Sequence, residues 1–176
     1  MAVTANTDGE KRPDILGLNH LAPSSSETFV SETITLQGPE QPRAKMLYEY
    51  WLSCEHRDGL TFGRDFPAKP IMSLLKNILV FQPIEGDYVL RVTGNELRRR
   101  FGRDPSRQKL TDLFSKEEFA EQLESLDSVR LSGKPSFYRI EMTNKLQKIV
   151  RETQFLPAWS ADRSERWLLG ALFYVD

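Results

Sequence analysis

Near Pro135 the spacing of apolar residues changes from the three-and-four step of a helix to strict alternation. Before that point Phe119, Leu123, Leu126 and Val129 share one helical face. Ser115 and Glu118 open this helix at capping-box spacing, and Gly133-Lys134-Pro135 closes it. After it, Tyr138, Ile140 and Met142 alternate with Arg139, Glu141 and Thr143, so a strand with one dry face is expected. Residues 149–159 follow as a longer strand, with Pro157 expected at a bulge or an unpaired position. Residues 167–175 are apolar at nearly every position, which a strand tolerates only when both of its faces are covered. Upstream, 78–82 and 88–93 read as a hairpin turning at Glu85-Gly86-Asp87. Two strands, a compact helical stretch and three more strands fold most simply into one antiparallel sheet with helices gathered on one side, an α+β arrangement.

One face of the last strand needs a cover that the helix at 115–132 cannot supply. A leading helix over 44–56 carries Leu47, Tyr50, Trp51 and Cys54 as a single apolar stripe, with Gly59 as its stop. That stripe is expected either to close the outer sheet face within the chain or to be shared with a second subunit, where Trp51 would act as an anchor. Pro67 and Pro70 interrupt the chain before a short apolar turn at 71–75. Residues 1–43, rich in Asn, Thr, Ser, Gly and Pro, bury little apolar surface and are expected to be flexible or to dock loosely. Within them 28–36 is β-branched and reads as an edge strand or a docking arm. The expected partition is a loose segment at 1–43, a helical cap at 44–77 and the sheet core at 78–176.

With a net charge of −1 the chain lacks the broad positive footprint that grips phosphate backbones, so nucleic acid is not an expected partner. A single cysteine, Cys54, excludes an intrachain disulfide and points to a reducing compartment. The first ten residues lack the basic start and apolar run of a secretory leader, and no stretch approaches the length of a membrane span. A soluble, cytoplasmic protein is expected.

Several short motifs, in order, resemble the PAS domains, specifically the bacterial subfamily in which one such domain makes up most of a small protein. These are Tyr50-Trp51, Phe66-Pro67, Leu74-Leu75, Tyr88-Val89-Leu90-Arg91-Val92-Thr93-Gly94 and Phe101-Gly102-Arg103-Asp104. Phe155-Leu156-Pro157 and Leu168-Leu169-Gly170-Ala171-Leu172 complete the set. The chain departs from the subfamily pattern at Leu60-Thr61-Phe62-Gly63 and at Pro105-Ser106-Arg107. The resemblance implies a five-stranded antiparallel sheet with helices on one face, the leading helix over the other, and a cavity between sheet and helices. It also implies a sensor that pairs with itself or with an effector; in that family the cavity holds haem, flavin, small carboxylates or nothing.

No cofactor is singled out by the residues. The helix at 115–132 contains no histidine to ligate haem, and the two histidines, His20 and His56, lie elsewhere; Met142 reads as a core residue. Cys54 precedes the sheet, so flavin photo-adduct chemistry is not expected. Cys54 and His56 are two positions apart on a helix and point to opposite sides, which argues against a metal site. No Gly-x-Ser-x-Gly elbow, phosphate-binding glycine loop or His-Glu-x-x-His is present. The pair Glu117-Glu118 is accounted for by helix capping. Arg98, Arg99, Arg100 and Arg103 form the sharpest charge run and offer an alternative reading as a nucleotide or nucleic-acid contact, although three consecutive arginines fan through about 200° of helix.

The sequence is therefore read as a non-enzymatic sensory module. A small apolar ligand is expected between sheet and helix, lined by Leu113, Phe114, Phe119, Leu123, Tyr138, Ile140 and Met142. Its signal is expected to reach a protein partner in trans, and self-association is expected to involve Leu47, Tyr50, Trp51 and Cys54. A small enzyme with its site in the same cavity is the further alternative, which would require polar groups inside a layer whose inward positions read as almost wholly apolar.

Overall fold

The computed structural model describes residues 30–175. The chain order is strand β1 (Val30–Leu36), helix α1 (Pro42–Glu55), a 3-10 segment (Lys69–Asn77) and the hairpin β2 (Ile78–Ile84) and β3 (Asp87–Thr93). Three helices follow, α2 (Asn95–Phe101), α3 (Leu110–Leu113) and α4 (Lys116–Ser132). The chain then finishes with β4 (Ser136–Thr143), β5 (Lys148–Trp159) and β6 (Arg166–Val175). All the strands join one antiparallel sheet in the order β1-β4-β5-β6-β2-β3.

The sheet thus has six strands, not five. The additional one is β1, which was expected to belong to a loosely docked segment but pairs with β4 from Val30 opposite Thr143 to Leu36 opposite Phe137. Its alternation explains the difference: Ile34 and Leu36 fall on one face, and Leu36 packs into the core. Residues 1–29, which carry the rest of the expected loose segment, lie outside the described residues. Pro157 sits opposite Leu168 in unbroken register with β6, but β4 ends at Ser136 opposite Phe155. Its missing N–H therefore falls where β5 has lost its other neighbour.

The apolar run of β6 is divided between two cores. Leu168, Leu172 and Tyr174 point to the side of α2, α3 and α4, together with Leu79, Phe81, Phe155, Ile140 and Met142. Leu169, Ala171 and Phe173 point to the side of α1 and the 3-10 segment, together with Ile78, Val80, Leu156 and Phe137. Gly170 belongs to the first set by position, and a Cβ there would lie 3.0 Å from Phe81 and 3.4 Å from Phe155. Its lack of a side chain lets those two rings meet edge-on across the strand, with centroids 6.1 Å apart.

Helix α1 covers the second core with the predicted stripe. Ala44, Leu47, Trp51 and Cys54 are buried, and Trp51 donates its indole N–H to the Pro157 carbonyl at 2.8 Å. Tyr50 is half-buried, and its hydroxyl donates to the Asp65 carbonyl. The four residues proposed for an interface are therefore spent on the chain's own sheet and on the turn beside it.

That turn, residues 57–66, is organised around a buried carboxylate. Asp65 accepts from the Thr61 N–H at 2.9 Å, from Arg64 at 2.8 Å and from Arg57 at 3.1 Å. Burial alone would raise its pKa, but the Arg64 hydrogen bond, the Thr61 N–H and Arg57 together outweigh it and hold the carboxyl below its ordinary range. A carboxylate depressed in the folded state stabilises above its unfolded pKa of about 3.9, and that contribution disappears as pH falls through the folded value. Asp65→Asn should cost about 1–3 kcal/mol at pH 7. It should also flatten the loss of stability below pH 4 relative to wild type, as read by denaturant melts across pH.

Candidate functional site

The seven residues predicted to line a ligand site come from α3, the loop after it, α4 and β4, and they converge. Leu113, Ile140 and Met142 are buried in the core on the α4 side of the sheet, while Phe114, Phe119, Leu123 and Tyr138 are half-buried and pack against it. Tyr138, Ile140 and Met142 reach it because alternation turns every second β4 residue inward, and Thr33 and Thr35 of β1 lie opposite Ile140 and Tyr138.

Helix α4 is held unevenly. Its C-terminal half buries Leu126 and Val129 and is clasped to β3 by polar contacts. The Tyr88 hydroxyl donates to Asp127 at 2.6 Å and accepts from Arg130 at 2.9 Å. Burial first, and Asp127 second, push the Tyr88 phenol well above its ordinary value, so it remains a protonated donor. Arg166 adds a bond to the Arg130 carbonyl at 3.2 Å, and Gly133 ends the helix in the left-handed conformation. The N-terminal half has the expected Ser115–Glu118 capping box, but Phe119 and Leu123 there are only half-buried. Phe119 and Leu123 form, with Phe114, Tyr138 and Ile149, an apolar rim around the deeper core.

The layer is less apolar than its predicted lining. Four consecutive polar residues of β5, Arg151, Glu152, Thr153 and Gln154, are each 3% exposed or less. Alternation sends Glu152 and Gln154 to the α1 side. Glu152 accepts from the backbone N–H groups of Glu40 and Gln41, both at 2.8 Å, and so caps α1; Gln154 donates to the Ala44 carbonyl at 3.2 Å. Arg151 and Thr153 face α4. Arg151 donates to the Tyr174 hydroxyl at 3.4 Å, and among the described residues nothing hydrogen-bonds the Thr153 hydroxyl. Gln122, 2% exposed, joins them from the same stripe of α4 as Leu126 and Val129. The reading of the inward positions as almost wholly apolar is corrected on this point. The signal was an Arg-Glu-Thr-Gln run inside a strand long enough to be central, where polar side chains persist only with partners or ligands.

The arginine run does not form a patch. Arg98 pairs with Asp104 at 3.3 Å and with Asn95, Arg99 pairs with Glu96 at 2.7 Å, and Arg100 bonds the same Glu96 at 2.9 Å. Arg100 also stacks over the Tyr174 ring, 3.9 Å from its centroid. Arg99 first, and then Arg100, hold the Glu96 carboxyl down to about 2 against the effect of burial, so Glu96 stays ionised at neutral pH and offsets part of the arginines' charge. The fan predicted from helix geometry is what separates them.

Among the described residues no group of three or more His, Cys, Asp or Glu side chains is placed to hold a metal ion. A cleft of about 330 Å³ lies on the opposite, α1, side of the sheet, between Glu40, Gln41, Arg139, Val150, Glu152 and Val175. Its charged groups are engaged with the protein: Arg139 pairs with Glu40 at 2.8 Å, and Glu152 caps α1. No helix among the described residues is long and apolar enough to cross a membrane.

The uneven hold on α4 has a measurable consequence. Leu126→Ala, at a fully buried position, should cost about 2–5 kcal/mol, whereas Phe119→Ala should cost less than the ~3–5 kcal/mol of a fully buried phenylalanine. Chemical denaturation of the two variants checks the order.

Comparison with protein-family models, with curated proteins and with solved structures returned no match.

Proposed function

We propose that the chain is a non-enzymatic sensory module of the PAS type. It holds a small ligand between α4 and the sheet and passes the resulting change in α4 to a protein partner in trans. The observation that carries this reading is the convergence of seven lining residues, drawn from three separate stretches of chain, on one layer in which four of them are only half-buried. The order of elements supports it as well: β2 and β3, three helices, then β4 to β6, with helices on one face and α1 on the other.

The chemistry of the layer favours binding over catalysis. Arg151, Thr153 and Gln122 do not exchange protons near neutral pH, so they can orient a polar end of a ligand but cannot serve as general acid or base. Helix α4 suits the role of transmitter, because its clasped C-terminal half forms a pivot for a less buried N-terminal half. The pairing of Arg98, Arg99 and Arg100 with neighbouring acids weighs against a nucleotide or nucleic-acid effector.

Native mass spectrometry of freshly purified protein tests the reading. A bound small molecule retained by wild type and depleted in Thr153→Val is the expected result. That variant removes a buried hydroxyl and should melt at the same temperature as wild type or higher. Bare protein in both samples would contradict the proposal.

A further inference from the structure

The two edges of the sheet are finished differently. At one end β3 is broken by a register shift of its partner between Val80 and Phe81, and its outer side is covered by the segment before α3. There Leu90 donates to the Gln108 carbonyl at 3.0 Å and accepts from the Arg107 N–H at 2.6 Å, while Val89 bridges Lys109. At the other end β1 runs seven residues in unbroken register with β4, and no described residue forms a strand on its outer side. Its sequence, Val-Ser-Glu-Thr-Ile-Thr-Leu, contains no proline, lysine or bulge, and Glu32 is the one charge among the devices that keep an edge from pairing. Val30 on this edge is 75% exposed.

We propose that the outer edge of β1 is a self-association site, at which a second copy of this chain adds its own β1 antiparallel and continues the sheet. The occupant is inferred from the strand's self-complementarity. Around a two-fold axis normal to the sheet, opposed residues must lie on the same face, so the axis must pass through a residue position. An axis through Thr33 pairs all seven residues: Val30 with Leu36, Ser31 with Thr35, Glu32 with Ile34, and Thr33 with itself. On the α4 side the pairs are then all between Ser and Thr, a favourable cross-strand combination, since Thr33 and Thr35 lie opposite Ile140 and Tyr138 of β4. On the α1 side exposed Val30 gains Leu36 of the second copy, and the only charge of the strand meets an isoleucine. An axis through Glu32 would instead oppose two carboxylates, and one through Ile34 would lose two pairs.

Such a joint buries little area and predicts a dimer that forms at tens of micromolar rather than nanomolar concentration. It differs from the association once expected through α1, whose stripe is already used inside the chain. It stands independently of any ligand.

The register is testable by cysteine trapping, because the native Cys54 is buried and will not compete. Residues opposed in an antiparallel pair have Cα atoms about 4.5–5.5 Å apart, within disulfide reach, while diagonal neighbours are about 7–8 Å apart. Sedimentation of the full chain should show a species of twice its 20.3 kDa mass that grows with concentration. Thr33→Cys should be trapped as a disulfide-linked dimer under mild oxidation at least tenfold faster than Glu32→Cys, with unchanged circular dichroism in both. A chain that remains monomeric to about 100 μM, with no trapping at residue 33, overturns the proposal. Equal trapping at 32 and 33, or a dimer that residue 33 does not trap, overturns it too.

Discussion

The pairing of β5 with β6 is the contact on which everything else rests. Ten residue pairs join them, from Val150 opposite Val175 to Trp159 opposite Arg166, and almost every residue involved is buried. Because β6 is apolar on both faces, it forces the chain to supply a cover for each. Helices α2 to α4 meet Leu168, Leu172 and Tyr174, and α1 with the 3-10 segment meets Leu169, Ala171 and Phe173. A buried aliphatic or aromatic side chain of this kind contributes about 1.5–3 kcal/mol, so neither cover is dispensable. Part of the polar run in β5 is tied to this setting: Glu152 accepts from the Glu40 and Gln41 N–H groups and Gln154 donates to the Ala44 carbonyl, which fixes the start of α1.

The functional reading follows from an asymmetry in one of the two covers. On the α1 side Trp51 is bonded to Pro157 and Arg43 donates to the Tyr174 carbonyl at 2.7 Å, with a cleft of about 330 Å³ beside the start of the helix. On the α4 side the clasp by Tyr88, Asp127 and Arg130 holds one half of the helix, while half-buried Phe119 and Leu123 hold the other together with Gln122, which is 2% exposed. Segments with few buried contacts open at lower free energy than the core. A layer with a secure hinge, half-buried apolar residues at its margin and buried polar groups beside them could couple occupancy to helix position, which is what a sensor in this fold would need.

Much of the fold was legible in the sequence because its signals are local and periodic. The capping box at Ser115, the stop at Gly133 and the alternation of Tyr138, Ile140 and Met142 mark α4 and β4 directly. The convergence of Phe119, Leu123, Tyr138, Ile140 and Met142 on one core was legible for the same reason, since a helical stripe and an alternating strand must share a core. Strand β1 was legible only as one of two alternatives, an edge strand or a docking arm, because its pairing with β4 spans more than a hundred residues. The polar β5 residues were hidden by strength of pattern: a strand reading as core drew attention to Phe155 and Leu156 and away from Arg151 and Thr153. The four-residue stripe of α1 was read correctly as apolar, but periodicity alone does not say whether a stripe meets its own sheet or another subunit.

Native-state hydrogen exchange, resolved by residue, tests the central account most directly. The slowest amides should lie in β5 and β6, at the free energy of global unfolding, and within α4 the turn containing Phe119 and Leu123 should exchange faster than that containing Leu126 and Val129. Uniform protection along α4, or slower exchange in β1 or β3 than in β5 and β6, would contradict it.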